Sequence, residues 1–345
     1  MRDRINGFNL CGGGCVTRVD AAHRYRGADD VCLVTTFFNP AGFRSRKAMY
    51  DAFAQRADAG NVRLITIECI FNSSDFELPE STGVLRIRAR DAMWQKERLI
   101  NAALARLPRP CTKVVWIDCD VMFENADWVA ETSRLLDRHS LVQPFETAYW
   151  LPKGATSYDG EGVVFRGFAA SHAANPGVVV AGDFQAHGVP GYAWGARREL
   201  LERHGLYDAC VIGGGDHLMA HAACGDWSSK CFGWSLGLDS PHHRHFVRWA
   251  KAFHSDVRGQ MTFVPGGLLH MWHGNWEHRN YTARHKALKS FDFDPAVDVR
   301  IGDTGAWEWA SDKPEMHAWA ATYFENRRED DDPAVSIPSA SGPLH

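Results

Sequence analysis

Three apolar runs rich in β-branched residues, separated by stretches of helical pattern, constrain the fold of this chain more than any other feature. The runs cover residues 30–38, 62–71 and 113–117. Each is nearly continuous in apolar residues, as is typical of strands that are covered on both faces. Helical patterns lie between them at residues 44–60 and 91–108. This alternation predicts an α/β domain with a mostly parallel central sheet flanked by helices.

Later segments extend this pattern and indicate how the chain is divided. Short apolar runs predict further strands at residues 177–182, 190–195, 261–267 and 268–272, and helical patterns occur at 196–205 and 215–224. We expect an N-terminal extension over 1–27, a single domain over 28–292, a C-terminal extension over 293–324 and a disordered tail over 325–345. Residues 147–176 are rich in glycine and aromatic residues and are expected to form a mobile lid or an acceptor loop.

Composition limits the partners and the location of the protein. The net charge of −4 gives no overall attraction to nucleic acid or to anionic lipid. The nine cysteines lack paired zinc-ligand spacing, so we expect reduced thiols and no metal site built on cysteine. The sequence shows no signal-peptide pattern and no apolar run of membrane-spanning length. A cytoplasmic protein with no transmembrane segment is therefore expected.

Two aspartates follow the third apolar strand directly, in the stretch WIDCDVMF. Residues two apart in an extended chain point to the same side, so Asp118 and Asp120 can face one point beyond the strand. Ligands bind at that edge in open α/β sheets. Converging carboxylates repel unless a cation compensates them, and oxygen ligands suit Mg²⁺ or Mn²⁺ held together with substrate phosphates. The pair predicts a metal and diphosphate site, the alternative being a turn cap at Asp118 and a solvated Asp120.

Two other chemistries also place acids after a buried strand. A P-loop NTPase needs the pattern G-x-x-x-x-G-K-[ST], which this sequence lacks. A phosphohydrolase of the haloacid dehalogenase type would use Asp118 as a nucleophile, but that motif normally lies on the first strand of its domain. Here a complete β-α-β unit precedes the motif. The phosphohydrolase remains an alternative that the sequence disfavours.

Further segments share a family pattern with the aspartate pair. They are TTFFNP, MWQKERLINAAL, GGGD and HMWHG. Together with WIDCDVMFENADW, they make most of residues 31–288 resemble the nucleotide-sugar glycosyltransferases of the GT-A fold. The resemblance implies a single GT-A-type domain, in which a mostly parallel central sheet is flanked by helices and a smaller sheet region lies on the acceptor side.

The resemblance also implies roles for particular residues. Asp118 and Asp120 would bind a divalent metal, Mn²⁺ or Mg²⁺, and the diphosphate of the sugar nucleotide. His273 would complete the metal shell, whereas His270 could be a core histidine. Asp216 in the Gly-rich segment would be the catalytic base, although many family members carry a Glu-Asp pair where this chain has a lone aspartate.

The Gly-rich segment also allows a purely structural interpretation. Gly214 and Gly215 permit a close approach of the backbone to a substrate or acceptor. Asp216 follows them at the start of a predicted helix, so it could cap that helix rather than act as a base, and the sequence leaves both roles open. His217 and His221 are four residues apart, which suits a metal, but no further ligand is evident. We therefore expect them to lie on one face of the helix without binding a metal.

Other candidate contacts are expected at the same edge of the sheet. Lys96 lies beside the apolar stripe of its helix and would contact the sugar nucleotide, or else form a structural ion pair with Glu97. Thr36 and Asn39, near the end of the first strand, would contact the nucleotide. Glu68, an acid within an apolar strand, would accept a hydrogen bond from the base or the ribose.

Three residues complete the set of candidates. Arg279 and Arg284 would neutralise the leaving diphosphate, or else be solvated. Trp194 would pack in the core or line the acceptor side, because sugars stack on aromatic faces.

These observations predict a metal-dependent glycosyltransferase of the hexosyltransferase class. It would move a sugar from a nucleoside diphosphate sugar, with UDP as the expected nucleotide, to an acceptor hydroxyl. The acceptor is open among glycan, lipid, protein and small molecule, and the net charge disfavours nucleic acid. If Asp216 deprotonates the acceptor, the anomeric configuration inverts, which is the outcome we favour; otherwise a retaining route applies. A non-catalytic module that binds sugar nucleotides or glycans is the alternative from another class.

Overall fold

The structure is a computed structural model that describes residues 17–18, 25–71, 74–181 and 186–331. Its strands are β1 (Thr17–Arg18), β2 (Val31–Phe37), β3 (Leu64–Phe71), β4 (Val84–Ala89), β5 (Lys113–Ile117), β6 (Val121–Phe123), β7 (Leu141–Gln143), β8 (Thr147–Trp150), β9 (Ser157–Tyr158), β10 (Val163–Arg166), β11 (Ala193–Arg197), β12 (Met261–Phe263), β13 (Gly267–His270), β14 (Val299–Ile301) and β15 (Trp307–Trp309). Its α-helices are α1 (Arg44–Ala59), α2 (Lys96–Leu104), α3 (Trp128–Leu136), α4 (Phe168–Ala174), α5 (Gly177–Val180), α6 (Arg198–His204), α7 (Gly215–Ala223), α8 (Lys230–Ser235), α9 (Pro241–Val257), α10 (Tyr281–Ser290), α11 (Pro295–Asp298) and α12 (Pro314–Glu325). Among the described residues, no helix combines the length and the apolar character needed to cross a lipid bilayer.

The central sheet has seven strands in the order β12-β7-β11-β5-β2-β3-β4. Parallel pairing joins β2 to both β3 and β5, β3 to β4, and β7 to β12. β11 runs antiparallel to its two neighbours, β5 and β7. The predicted α/β class with a mostly parallel central sheet is therefore confirmed.

The apolar run of β2 is continuous because the sheet is covered on both faces. On one face, Val31 and Leu33 lie in a core that includes Phe53 of α1. On the other face, Cys32 and Val34 lie in a second core, to which α2 contributes. Alternate side chains of a strand point to opposite faces, so both sets must be apolar for the strand to be buried.

A second sheet extends the central one at the end of β5. Its four strands have the order β10-β8-β13-β6, and it is the smaller sheet that we predicted. β6 begins directly after Asp120 and pairs antiparallel with β13, which places His270 opposite Val121. The amide of Met271 donates to the carbonyl of Asp120 at 2.9 Å. This pairing brings residues that are distant in the sequence to the aspartate pair.

Two predictions about connecting segments are wrong. Residues 147–176 do not form a loop, because they contain β8, β9, β10 and α4, and β8 pairs with β10 in the second sheet. The run predicted as a strand at 177–182 contains the short helix α5. A short apolar run does not by itself distinguish a strand from a helix. Pro176, with φ −56°, stands before the first helical residue and favours a helix start.

The other predicted elements are present with shifted bounds. α1 and α7 agree with the predicted helices to within one residue at each end. α2 begins at Lys96 rather than at residue 91, because Gln95 has φ −151° and ψ 35°, outside the helical region. β11, β12 and β13 are shorter than the runs that predicted them or displaced from those runs by a few residues.

The cysteines differ in part from expectation. Cys32 of β2 and Cys111, which precedes β5, form a disulfide bond with their Cα atoms 5.6 Å apart. The expectation of reduced thiols is therefore wrong for this pair. The other described cysteines, which lie outside this disulfide, are Cys69, Cys119, Cys210, Cys224 and Cys231.

The first residues of the segment expected to be a disordered tail pack against the domain. Beyond the end of α12, Arg327 and Glu329 are buried. Glu329 accepts hydrogen bonds from Arg46 Nε of α1 at 3.0 Å and from Arg327 Nε at 2.6 Å. Two cations therefore compensate one buried carboxylate. Residues 332–345, and most of the predicted N-terminal extension, lie outside the described residues.

We predict that Glu329→Gln destabilises the protein by about 3 to 5 kcal/mol, because it removes the anion that the buried Arg327 and the partly buried Arg46 share. The measurement is the free energy of unfolding from urea titration. Glu325→Gln is the matched control, because Glu325 is exposed. Equal stabilities of the two variants would show that the ion pair does not hold this segment.

Candidate active site

A cavity of about 510 Å³ opens at the carboxyl ends of β2 and β5. Most of the candidate residues from the sequence line it. They are Thr36, Lys96, Asp118, Asp120, Gly214, Asp216, His273, Arg279 and Arg284. The edge of the sheet that was expected to hold the ligand is thus the edge where the cavity lies.

The ammonium group of Lys96 joins the two carboxylates on one side of this cavity. Its Nζ atom lies 3.0 Å from Oδ1 of Asp118 and 2.6 Å from Oδ2 of Asp216. Lys96 is buried, with 6% of its surface exposed. A buried charge needs close partners of the opposite sign, and Lys96 has two.

Three elements position this group. Lys96 is the first residue of α2, Asp118 follows the last residue of β5, and Asp216 lies in the first turn of α7. Trp116 of β5 donates from Nε1 to Oδ1 of Asp216 at 3.2 Å. The N-cap of α7 is Gly214, with φ +98°, and no side chain caps this helix. Asp216 is therefore not the N-cap of this helix, which was one of the two roles that the sequence allowed for it.

The proximity of these charges shifts three pKa values. Burial acts to lower the pKa of Lys96, but the carboxylates of Asp118 and Asp216 raise it well above its ordinary value. Desolvation raises the pKa of Asp118 to about 6, against the opposing effect of Lys96. Burial raises the pKa of Glu97, the next residue of α2, to about 8. Glu97 is consequently protonated at neutral pH, while Lys96 remains charged.

A second group of polar side chains lies on the other side of Asp118. Nε2 of His273 is 2.9 Å from Oδ2 of Asp120, and Nε2 of His270 is 3.8 Å from Oδ1 of the same carboxylate. The two Nε2 atoms are 2.9 Å apart. Burial acts to raise the pKa of Asp120, but its hydrogen-bonded neighbour His273, together with Arg279, lowers it well below its usual range. Burial lowers the pKa of His270 well below its usual value, so this ring is neutral and can offer a lone pair.

The donor atoms of this group lie close enough to share one ion. One atom each from Asp120, His270 and His273 lies within 4.8 Å of the other two. Within the part of the chain that the structure describes, Oδ1 of Asp120 is buried and accepts no hydrogen bond. A buried carboxylate oxygen normally has a partner. This oxygen and the two imidazoles are the donor set that Mn²⁺ accepts.

Arginines line the side of the cavity formed by the C-terminal part of the chain. Nη2 of Arg279 donates to the carbonyl of His273 at 3.1 Å. Arg284 Nη1 and Arg327 Nη1 donate to the hydroxyl of Tyr323 at 2.5 and 3.2 Å. Burial acts to raise the pKa of Tyr323, but these arginines lower it below its ordinary value. The positive charge on this wall suits an anionic ligand.

A strained tyrosine lies at the cavity mouth. Tyr192 has φ +78°, a value that is rare for residues other than glycine. Its carbonyl accepts from the amide of Asp118 at 2.8 Å, and Trp150 Nε1 donates to its hydroxyl. Strain of this kind persists where the surroundings fix it, and it is concentrated at functional sites. Both aromatic rings line the cavity.

Four candidate residues lie outside the cavity wall. The side chain of Asn39 bonds to the backbone of Phe43 and to Glu77. Glu68 is buried and accepts from the amide of Leu78 at 3.0 Å. Trp194 is fully buried and donates to the carbonyl of Pro190 at 2.7 Å, so it has the core role of the two considered for it. The fourth is Gly215, which packs behind the wall, where a Cβ atom would lie 2.4 Å from Oε1 of Glu97.

Several lining residues were not among the sequence candidates. They are Arg46, Trp94, Glu97, Trp150, Tyr192, His270, Tyr323 and Arg327. The sequence carried a signal for two of them, because Glu97 lies beside the apolar stripe and His270 follows an apolar strand. The others carry no local pattern, since tertiary packing alone brings them to the cavity.

Comparisons with known proteins give only distant structural similarity. No protein-family model and no curated protein matches this chain. The catalytic domain of Drosophila β1,4-galactosyltransferase 7, in complex with xylobiose, is similar with 13% identity over 84% of this chain and 98% of that chain, at a TM-score of 0.38. A mutant of the Drosophila enzyme, in complex with manganese, UDP-Gal and xylobiose, has 12% identity over the same shares, also at 0.38. The 4-diphosphocytidyl-2C-methyl-D-erythritol synthase from Anaerococcus prevotii has 9% identity over 89% of this chain and 99% of that chain, at 0.30. Likenesses at these TM-scores carry no argument about what this chain binds or does.

We predict that the stability of the protein contains a pH-dependent contribution from Glu97. Its pKa is about 8 in the folded protein, against an ordinary value of 4.5 in the unfolded chain. Unfolding therefore releases a proton between these two values, and the folded state loses up to about 1.4 kcal/mol of stability for each pH unit of increase. The contribution is greatest below the unfolded pKa and is lost as the pH rises toward the folded pKa.

The test compares urea unfolding of the wild type and of Glu97→Gln across this pH range. Glutamine resembles the neutral acid but does not titrate, so the stability of the variant relative to the wild type should rise with pH. Glu80→Gln is the control, because the side chain of Glu80 is 88% exposed. Parallel pH profiles for the wild type and Glu97→Gln would contradict the prediction.

Proposed function

We propose that this protein is a metal-dependent glycosyltransferase that moves a sugar from a nucleoside diphosphate sugar to an acceptor hydroxyl. One observation supports this function above others. A metal-ligand set (Asp120, His270 and His273) and a carboxylate placed to act as a base (Asp216) face the same cavity. A sugar nucleotide needs both, because its diphosphate must leave while the acceptor loses a proton.

The metal ligands that we propose are Asp120, His270 and His273. The buried, unpaired Oδ1 of Asp120 fits this role. When bound, Mn²⁺ or Mg²⁺ would offset negative charge on the departing diphosphate. Asp118, which the sequence also indicated as a ligand, has one oxygen committed to Lys96. We infer that Asp118 completes the metal shell with its other oxygen or binds the donor sugar.

The cations of the cavity would hold the diphosphate. Arg279 and Arg284 lie on its wall, and both are buried. A guanidinium group matches the geometry of phosphate oxygens, and it gains strength when water is excluded. Lys96 offsets one of the two negative charges of Asp118 and Asp216. The arginines add positive charge on the wall of the cavity, which suits a ligand that brings its own negative charge.

Asp216 is the residue that we propose as the catalytic base. Its side chain is 14% exposed, toward the cavity. Lys96 and Trp116 each use one lone pair of its carboxylate, so further lone pairs can accept a proton. In the reaction, the acceptor oxygen forms a bond to the anomeric carbon, the carbon-to-phosphate oxygen bond breaks, and the hydroxyl proton passes to Asp216. Attack from the face opposite the leaving group inverts the configuration.

The lining of the cavity supports a proposal for the donor and acceptor classes. Aromatic rings on the wall, among them Trp94, Trp150 and Trp234, offer faces on which a nucleobase or a sugar can stack. We propose UDP-sugars as donors and a glycan, lipid, protein or small molecule as acceptor. A non-catalytic binding module would share the cavity but would release no UDP, so turnover distinguishes it from the enzyme.

We predict that UDP binds more tightly in the presence of Mn²⁺, because metal and diphosphate would share the Asp120 site. Calorimetric titration of UDP with and without Mn²⁺ measures this linkage. Asp120→Asn should abolish the gain, whereas Asp127→Asn, at an exposed ion pair with Arg26, should retain it. Equal affinity for UDP with Mn²⁺ and with EDTA would remove the metal role.

We predict that Asp216→Asn lowers turnover by about 10²- to 10⁴-fold, because an amide cannot take up the hydroxyl proton. The assay is release of UDP from a panel of UDP-sugars with Mn²⁺ and candidate acceptors. UDP affinity should survive, and urea unfolding must be measured in parallel, because the variant also loses the ion pair with Lys96.

Asp208→Asn is the matched control for this experiment. Asp208 forms an ion pair with Arg98 at 2.9 Å and does not line the cavity, so its loss should affect stability but not the chemical step. A folded Asp216→Asn protein that retains more than about a tenth of wild-type turnover would exclude the base role.

A further inference from the structure

A second cluster of potential metal ligands lies apart from the Asp120 group. It consists of His187, His217, His221 and Cys231, and all four residues are buried. One donor atom from each residue lies within 4.8 Å of the corresponding atoms of the other three. We propose that these residues form a structural site for a transition metal, with Zn²⁺ as the ion that the donors suit best.

The cluster draws its ligands from three segments. His217 and His221 lie one turn apart on α7, and Cys231 lies in the first turn of α8. His187 precedes the stretch that leads into β11. The i, i+4 spacing of the two helical histidines was visible in the sequence, but we expected them only to lie on one face of the helix without binding a metal. The structure places both rings, buried, beside His187 and Cys231, two potential ligands that no sequence pattern associated with them.

Hydrogen bonds to the outer ring nitrogens orient two of the histidines toward the cluster. Nδ1 of His221 lies 2.7 Å from Oδ2 of Asp226. Nδ1 of His187 lies 2.8 Å from the carbonyl oxygen of Gly188. An acceptor at Nδ1 fixes the proton on that atom, which leaves Nε2 with its lone pair. A carboxylate or a carbonyl behind the ring is the usual arrangement for a histidine that ligates a metal.

The inward atoms have the separations that a metal site needs. Nε2 of His187 lies 3.6 Å from Sγ of Cys231, close to the roughly 3.6 Å edge of a tetrahedron with zinc–nitrogen and zinc–sulfur bonds. Nε2 of His221 is buried and has no hydrogen-bond partner among the described residues. An imidazole nitrogen that is buried without a partner is costly, and a metal ion would satisfy it.

The surroundings favour a structural rather than a catalytic ion. Phe168 packs 5.4 Å from the ring of His187, and Phe232 packs 5.4 Å from the ring of His221, measured between ring centroids. Aromatic rings of this kind exclude water. Four protein ligands fill a tetrahedral shell, whereas catalytic zinc keeps one position open for water or substrate. Zinc accepts both thiolate sulfur and imidazole nitrogen as ligands, so one thiolate with three neutral imidazoles suits it.

The proposed metal site borders the cavity. The proposed ligand His217 itself lines the cavity, as do Asp216, which precedes it, and Gly188, which follows the proposed ligand His187. A metal bound by α7, α8 and the segment before β11 would therefore hold this part of the wall in place. The inference concerns metal content and stability, so it stands whether or not the proposed function is correct.

The primary experiment measures metal in the purified full-length protein. We expect elemental analysis to find about one equivalent of zinc per chain that survives gel filtration. Cys231→Ala should lose that zinc and lower the melting temperature, whereas Cys210→Ala, at another buried cysteine outside the disulfide, should keep it. Asp120→Asn should also keep it, which separates this ion from the one proposed for the cavity.

Two further measurements keep the test decisive if Cys231→Ala does not fold. The wild-type protein refolded with Co²⁺ should show visible bands of a tetrahedral ion and a thiolate charge-transfer band in the near ultraviolet. Asp226→Asn, which removes the carboxylate behind His221, should weaken zinc affinity by about 10- to 100-fold in a chelator competition. A wild-type protein without stoichiometric zinc, a cobalt spectrum without a thiolate band, or full zinc in Cys231→Ala would overturn the proposal.

Discussion

A buried ammonium group held between two carboxylates is the interaction on which the rest of the candidate site depends. Lys96 joins the start of α2, the end of β5 and the first turn of α7 through Asp118 and Asp216. Without it, the carboxylates of Asp118 and Asp216 would lie at the same cavity with no ammonium group between them, and neighbouring like charges disfavour the ionised form. The same cation lies beside Glu97, whose pKa is raised because burial outweighs the stabilisation that Lys96 offers its charged form. The pKa values of Asp118 and Glu97 therefore reflect burial, which raises them, and Lys96, which opposes that rise.

α7 connects the two sites that we propose. Its first turn carries Asp216 toward the cavity, while His217 and His221 enter the buried histidine-cysteine cluster. Gly214, with φ +98°, allows the chain to enter this helix without a capping side chain. Gly215 leaves room for Glu97, because a Cβ atom there would collide with its carboxylate. The Gly-rich stretch thus has a packing role in addition to any contact with substrate.

The sequence predictions were accurate where the signal lies in consecutive residues, and they failed where the structure depends on residues far apart in the chain. The runs that became β2, β3 and β5 are long, nearly continuous and separated by helical patterns, so their type was clear before the structure. The strands of residues 147–176 were missed because they are short, and because one of them, β8, pairs with β13, which lies far along the chain. α9 was not predicted either, although Phe246 and Phe253 form its buried face, because its many histidines and arginines obscure the apolar spacing.

The sequence by itself determined the α/β class, the edge of the sheet where the cavity lies, and the aspartate pair at that edge, since these follow from local hydrophobic pattern and strand geometry. Only the tertiary structure decided which polar groups become partners. It paired Asp118 with Lys96 rather than leaving it free, placed His270 beside Asp120, and assembled a buried ligand cluster from three separate segments. The physical reason is that ion pairs and metal ligands act over a few ångströms in space, and the chain brings such groups together only by folding.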